Sequence, residues 1–363
     1  MQRANITRRG VLKGAGVVAV GITLAACGKS SSQAQQNADT TGPIESDLMV
    51  ANWPDYTDPE AYKRFQGQFG PKVTVDTFGS NEELIAKLSA GGSNYDIIVP
   101  SGSAVAPIIA RNLVMPLNPE LVPNLKNIVP TFKDLAYDPG NKYTAIKDYG
   151  VTGVLYKKSA VPNPPTTLQG WFEVLPSLHG KKINFLDGPT EMPLVALAAL
   201  GLDINSTDQS DYDKALQLLD QSKSAVTSLS STYIDAASQG QYDVTFAWNG
   251  DMPGVIAAAK KNGVELESFI DPQRGVYWTD NWAIAAGAKH PVAAHAWINW
   301  MLDPATAQSQ QDFVGYPVPV QGVKPTGNPA TDLPADVLAR FQTITRSPDL
   351  DALRSRFWDE YKA

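Results

Sequence analysis

The amino-acid sequence predicts an α/β fold in two domains, and three observations lead there. Apolar runs of strand length alternate with amphipathic stretches that open at recognisable helix caps. The portion that reads as folded is about 320 residues, more than one typical hydrophobic core holds and enough for two. Finally, the alternation is unbroken: no sustained heptads, tandem repeats or later membrane-length apolar runs occur, and the 43% apolar fraction is that of an ordinary globular protein.

Taken in order, the expected strands are 47–53, 73–78, 95–100, 151–156, 182–186 and 244–248. Asp58-Pro59 supplies an N-cap followed by proline at the first helical position. Ser80-Asn81-Glu82-Glu83 is a capping box that opens a helix running to residue 90. Asp303-Pro304 repeats the first device. Strands separated by helices imply largely parallel sheets, and in such sheets ligands bind beyond the carboxyl ends of the strands. The ends at Asn52-Trp53, Pro100-Ser101 and Trp248-Asn249 are therefore where a site is expected.

The N-terminus reads as an address. Residues 1–26 contain no acid and four bases, Arg3, Arg8, Arg9 and Lys13, with an apolar stretch over 11–26 that is short for a membrane span. Thr7-Arg8-Arg9-Gly10-Val11-Leu12-Lys13 resembles a twin-arginine export signal, with Val11 where that signal usually has phenylalanine, so twin-arginine and general export both stay open. Leu24-Ala25-Ala26-Cys27-Gly28 resembles a bacterial lipoprotein cleavage site, which makes 1–26 an expected signal peptide and Cys27 the expected lipidated residue. Residues 27–45 then form an expected flexible tether, rich in Ser, Gln, Asn and Thr and too poor in apolar surface to pack. The expected location is outside the cytoplasmic membrane, anchored to its outer face through the lipid. Cys27 is the only cysteine, so no internal disulfide can form and the fold must rest on its core.

Charge narrows the partners. Removing the four bases of the signal takes the formal net charge from −7 to −11. Nucleic-acid binding needs basic contacts, and none is expected here; an acidic shell instead attracts cations.

Several motifs together carry a family resemblance. Asn52-Trp53-Pro54-Asp55-Tyr56, Ser80 to Leu88, Tyr95-Asp96-Ile97-Ile98-Val99-Pro100-Ser101, Ala247-Trp248-Asn249-Gly250, Trp278-Thr279-Asp280 and Gly315-Tyr316-Pro317-Val318-Pro319 follow one another in the order and spacing of the spermidine/putrescine-binding proteins of bacterial ABC importers, which the chain resembles over nearly all of its folded part. The resemblance implies a type II periplasmic-binding-protein fold: two lobes, a ligand cleft between them and two hinge strands. The crossings are expected near 149–154 and 278–283. Lobe 1 is expected to comprise 46–152 and 280–315, and lobe 2 153–279 and 316–363. It also implies a monomeric extracytoplasmic component that binds a polyamine and hands it to ABC permease subunits, with no cofactor.

A polyamine needs carboxylates for its ammonium groups and aromatic faces along its methylenes. Asp280 is the expected main anchor; it follows Trp278 by two residues, so a strand would point both to one side. Trp248 and Trp278 are expected along the ligand chain, against the alternative that both are core residues. Trp53 and Tyr56 are expected walls, with Asp55 between them either a second carboxylate or a solvated turn residue. Ser101 and Ser103 offer hydroxyls to an ammonium or cap the following helix. Glu191 matches the family's second acid, although its place also suits a helix N-terminus. Many relatives carry an acid at Gly188 and an aromatic at Ser103; Asp187 is a substitute candidate. Tyr316 in its proline-bounded loop and Tyr149 at the outbound crossing complete the expected set. The thinner supply of acids leaves open a shorter diamine, an aromatic monoamine or a zwitterion such as thiamine, and Arg274 near the return strand leaves an anion open.

An enzyme is not expected. The three histidines, His179, His290 and His295, sit in no triad or zinc motif, so a secreted hydrolase has only carboxylates to work with, and no metal site is expected. Iron-binding relatives cluster tyrosines, whereas those here are scattered; sugar sites also stack on tryptophan, so the acids decide between sugar and amine. A scaffold lipoprotein with no small ligand is the third class.

Overall fold

The computed structural model describes residues 40–54, 56–91 and 94–363. The signal segment, Cys27, most of the tether and Asp55 lie outside the described residues. Eleven strands occur among the described residues: β1 (Asp47–Asn52), β2 (Lys72–Thr77), β3 (Ile97–Ile98), β4 (Val114–Met115), β5 (Thr144–Lys157), β6 (Ile183–Phe185), β7 (Val226–Leu229), β8 (Val244–Trp248), β9 (Leu266–Phe269), β10 (Val276–Ala285) and β11 (Gln342–Thr343). They follow the hydrogen-bonded order β2-β1-β3-β10-β5-β8-β6-β7, with β4 and β11 on β10 and β9 on β5.

The helix starts are built as their sequences predict. The Asp58 carboxylate accepts the Glu60 amide of the helix Pro59–Phe69, and Asp303 accepts the amides of Ala305 and Thr306 at the head of Pro304–Val314. Ser80 Oγ accepts the Glu83 N–H at 3.1 Å. Glu83 reaches back to the Gly79 N–H at 2.8 Å, closing the box one residue earlier than the usual cap position.

Parallel pairing holds at the two flanks, β2-β1-β3 and β8-β6-β7, where helices return the chain between strands. The middle differs from the expectation of largely parallel sheets: β10 runs antiparallel to β3 and β5, and β5 antiparallel to β8. The reason is directional. A chain that leaves one half along β5 and returns along β10 must travel the opposite way on its second pass. The N-terminal half of β5 pairs with β10, and residues 152–156 pair with β8.

Two large cores flank this centre. One holds Trp171, Phe172, Phe185 and Phe246, with Phe172 and Phe246 stacked at 5.1 Å. The other holds Phe65, Trp282 and Trp297, with the two indoles edge-on at 5.8 Å. Val318 and Val320 pack in the second of these, where Val320 bridges to Ile128. The long strands are pinned from both sides, which holds the residues at their midpoint in place.

One irregularity sits at that midpoint. Asp280 pairs with Asp148 and Asn281 with Ile146, so Lys147 is an extra residue in β5. Such a bulge re-aims side chains that a regular strand would send to opposite faces.

Candidate functional site

Asp280 lies in the middle of β10, 6% exposed, and its Oδ1 accepts a hydrogen bond from Ser101 Oγ at 2.8 Å. Ser101 precedes the helix Gly102–Ala110 but its side chain caps nothing; the hydroxyl goes to the acid instead. The two residues also meet across an isolated antiparallel bridge. Burial pushes the Asp280 carboxyl up to about 7, Asp148 adding to the rise while Lys147 and Ser101 oppose it. Asp148 itself is driven upward by burial and drawn back by Lys147, whose ammonium donates to its Oδ2.

A second acid stands at the head of another helix. Glu191 precedes Met192–Ala199, and its Oε2 accepts the Trp248 indole Nε1–H at 3.3 Å. Burial pushes the Glu191 carboxyl up to about 7, with the indole bond pulling the other way.

A third acid joins two tyrosines that lie far apart in sequence. Asp251 opens the helix Asp251–Lys261 directly after β8. It accepts Tyr316 Oη–H at 2.9 Å and Tyr233 Oη–H at 2.8 Å, while the Tyr233 oxygen accepts the Trp248 backbone N–H at 2.8 Å. Burial raises Asp251 above the usual carboxylate range, and the two phenols lower it. Its negative charge in turn helps hold Tyr56, Tyr233 and Tyr316 protonated, after burial as the main cause.

The aromatic rings fill the space between these acids. Trp278 and Tyr316 meet at 5.1 Å, Tyr56 and Tyr316 at 5.8 Å, and Tyr233 and Trp248 at 5.9 Å. Two glycines make this fit possible. A Cβ on Gly150 would lie 2.3 Å from the Trp278 ring, and one on Gly250 2.4 Å from the Tyr316 ring. Tyr56, Trp248 and Trp278 are each half-buried, as expected of rings that present one face. Such an arrangement can desolvate a cation, give it carboxylate partners and cover a short alkyl chain.

The expected residues thus fall into groups. Ser101 and Asp280 meet; Glu191 and Trp248 meet; Tyr56, Trp278 and Tyr316 form one ring cluster. Ser103, half-buried as the second residue of its helix, lines a small cavity with Ser101, Tyr137 and Trp278. Trp53 packs on Phe78 at 4.6 Å, with its Nε1–H buried and unpartnered among the described residues. Tyr149 stacks on Phe132 at 4.5 Å and is a core residue, 8% exposed. The carboxylate of Asp187 accepts the Trp358 indole N–H at 2.8 Å, and Arg274 donates to the Ala199 carbonyl at 2.9 Å, so neither faces this cluster through those groups.

Sequence reasoning passed over Asp251, Tyr233, Asp148 and Lys147. Asp251 follows Trp248 by three residues and could have been found as the acid at the head of the helix after an apolar strand. Nothing local marks Tyr233 or the Lys147–Asp148 pair.

Comparisons with known proteins agree with this architecture. Residues 60–335 match the profile of the family described as bacterial extracellular solute-binding protein. The putrescine-binding periplasmic protein PotF of Escherichia coli K12 is 31% identical over 345 residues, covering 89% of this chain and 93% of the relative. The putrescine/agmatine-binding protein of Pseudomonas aeruginosa PAO1 is 28% identical, covering 90% and 94%. Among solved structures, a putative spermidine/putrescine ABC transporter from Listeria monocytogenes aligns with a TM-score of 0.78 at 27% identity, covering 88% of this chain and 99% of that one. The chain belongs to the bacterial extracellular solute-binding proteins, a transport family and not an enzyme family, and has their two-lobed α/β fold.

Proposed function

We propose that this member of the solute-binding family is the extracytoplasmic receptor of an ABC importer and holds a polyamine, putrescine or spermidine, between carboxylates and aromatic rings at the centre of the fold. The single observation that carries the ligand class is a charge mismatch. Four carboxylates, the buried Asp148 and Asp280 and the half-buried Glu191 and Asp251, are all driven up by desolvation, and Lys147 is the one buried lysine among the described residues. Buried acids that rise toward neutrality are waiting for positive charge, and ammonium groups spaced along an alkyl chain supply it.

In this reading Asp280, supported by Ser101, anchors one amine. Glu191 and Asp251 face the other end. Trp53, Tyr56, Trp248, Trp278 and Tyr316 cover the methylenes, with Ser103 at the edge and Tyr149 backing the site from the core. The division into lobes at 46–152 with 280–315, and 153–279 with 316–363, is supported by the separate cores, although Val318 and Val320 seat in the core of the first lobe. Closure would turn on β5 and β10. The protein would act as a monomer, lipidated at Cys27 on the outer face of the cytoplasmic membrane, and dock on permease subunits. Among the described residues no helix is long and apolar enough to cross a membrane.

Calorimetry of the delipidated protein against putrescine, spermidine, spermine and thiamine tests the reading. Saturable binding of at least one polyamine, recovered unchanged, is the expected result. Binding of thiamine alone, or of none of the four, would overturn it.

A further inference from the structure

The site contains a cation of its own. The Lys147 ammonium is fully buried and donates to Asp148, its neighbour in sequence, a contact that the bulge opposite Asp280 and Asn281 makes possible. It lies 5.9 Å from the centroid of the Tyr56 ring and 5.8 Å from that of Trp282. Tyr56 is the ring that also packs beside Tyr316. The lysine therefore has the surroundings a bound amine would have: a desolvated carboxylate and aromatic faces.

The carboxylates around it explain why it is there. Asp148 and Asp280 are direct cross-strand partners, a destabilising placement for two like charges. Lys147 neutralises one of them. With both acids ionised, as an arriving ammonium favours, the count at this end is two negative charges and one positive, so one charge is left over. Asp148 Oδ1 is buried with no hydrogen-bond partner among the described residues, an acceptor still open beside Asp280.

Resting on the polyamine reading above, we propose that Lys147 is a specificity-determining residue: its ammonium is a built-in amine that limits this end of the site to one ligand ammonium, and the protein selects diamines over triamines. The pair acts by charge count. Taking away the lysine asks the ligand for one more positive charge; taking away Asp148 frees Lys147 to claim Asp280 and asks for one fewer.

Titration calorimetry with putrescine and spermidine on the full chain and three variants tests this, with thermal unfolding run alongside. The unmodified protein should favour putrescine. Lys147→Met should move the affinity ratio toward spermidine by at least about tenfold. Asp148→Asn should lower putrescine affinity by at least about tenfold. Lys147→Met combined with Asp148→Asn restores the original count and should return the ratio to within about threefold of the starting value. If Lys147→Met does not fold, the Asp148→Asn and double variants decide alone. A starting protein that binds polyamines but favours spermidine, or ratios unmoved in folded variants, overturns the proposal and leaves the polyamine reading intact. A starting protein that binds neither amine removes both.

Discussion

The indole N–H of Trp248 donates to the carboxylate of Glu191 at 3.3 Å, across 57 positions of sequence. The bond fixes the plane of a half-exposed ring and holds an acid that burial would otherwise leave unpaired. It also ties the end of β8 to the head of the helix Met192–Ala199, so that a strand end and a helix start present one surface.

Trp248→Ala should therefore weaken polyamine binding by about 0.5–2 kcal/mol, the range of a cation–π contact, with cooperative unfolding retained. Calorimetry and thermal unfolding on the same preparation check it. Gross loss of folding would return Trp248 to the core.

Asp280→Asn should lower amine affinity by about 2–5 kcal/mol, as expected when one partner of a desolvated charge pair is lost. The isosteric amide can still meet Ser101, so the fold should survive. Unchanged binding would remove Asp280 from the site.

Glu191 and Asp280 are both pushed up to about 7, which makes binding pH-dependent. Their folded-state values lie above their unfolded ones, so the ligand-free protein binds protons more tightly than its unfolded chain. The stability this contributes is complete at low pH, below the unfolded values, and is lost as pH rises through about 7. Ammonium binding needs the ionised acids. The rise in Tm produced by a fixed putrescine concentration should therefore grow between pH 6 and pH 8, on the order of those two titrations. A shift that shrinks over that range contradicts the assignment.

Gly250→Ala places a methyl 2.4 Å from the Tyr316 ring while its backbone geometry, φ −67°, suits any residue. The effect is steric, and overpacking of this kind should cost about 1–3 kcal/mol of stability. Denaturant unfolding measures it; a change below about 0.5 kcal/mol would mean that the ring moves aside freely.

Cys27→Ser should release the protein from membranes into the soluble fraction without changing its affinity for amines, since a single residue at the tether carries the proposed lipid. Fractionation of expressing cells checks it, and a variant that stays with the membrane would point to another anchor.

Much of the fold was legible in sequence because its signals are local. β8 falls on residues 244–248 as its apolar run predicts, and Asp58, Ser80 and Asp303 cap the helices whose starts they mark. The strand ends at Trp53, Ser101 and Trp248 are legible because side chains at strand termini follow from chain direction alone. β10 is legible only as a crossing, since its run of Tyr, Trp, Thr, Asp and Asn lacks a clean alternation.

Which of those side chains meet was another matter. The sequence by itself determined a family of α/β receptors, a stock of acids and indoles, and an acidic charge. Only the tertiary structure decided that Ser101 serves Asp280 and not its own helix, that Asp251 gathers Tyr233 and Tyr316, and that Lys147 sits among the acids as a cation supplied by the chain. The physical reason is register. Asp148 faces Asp280 across 132 positions because β5 and β10 pair with a one-residue bulge, and a shift of one residue would send those groups to opposite faces of the sheet.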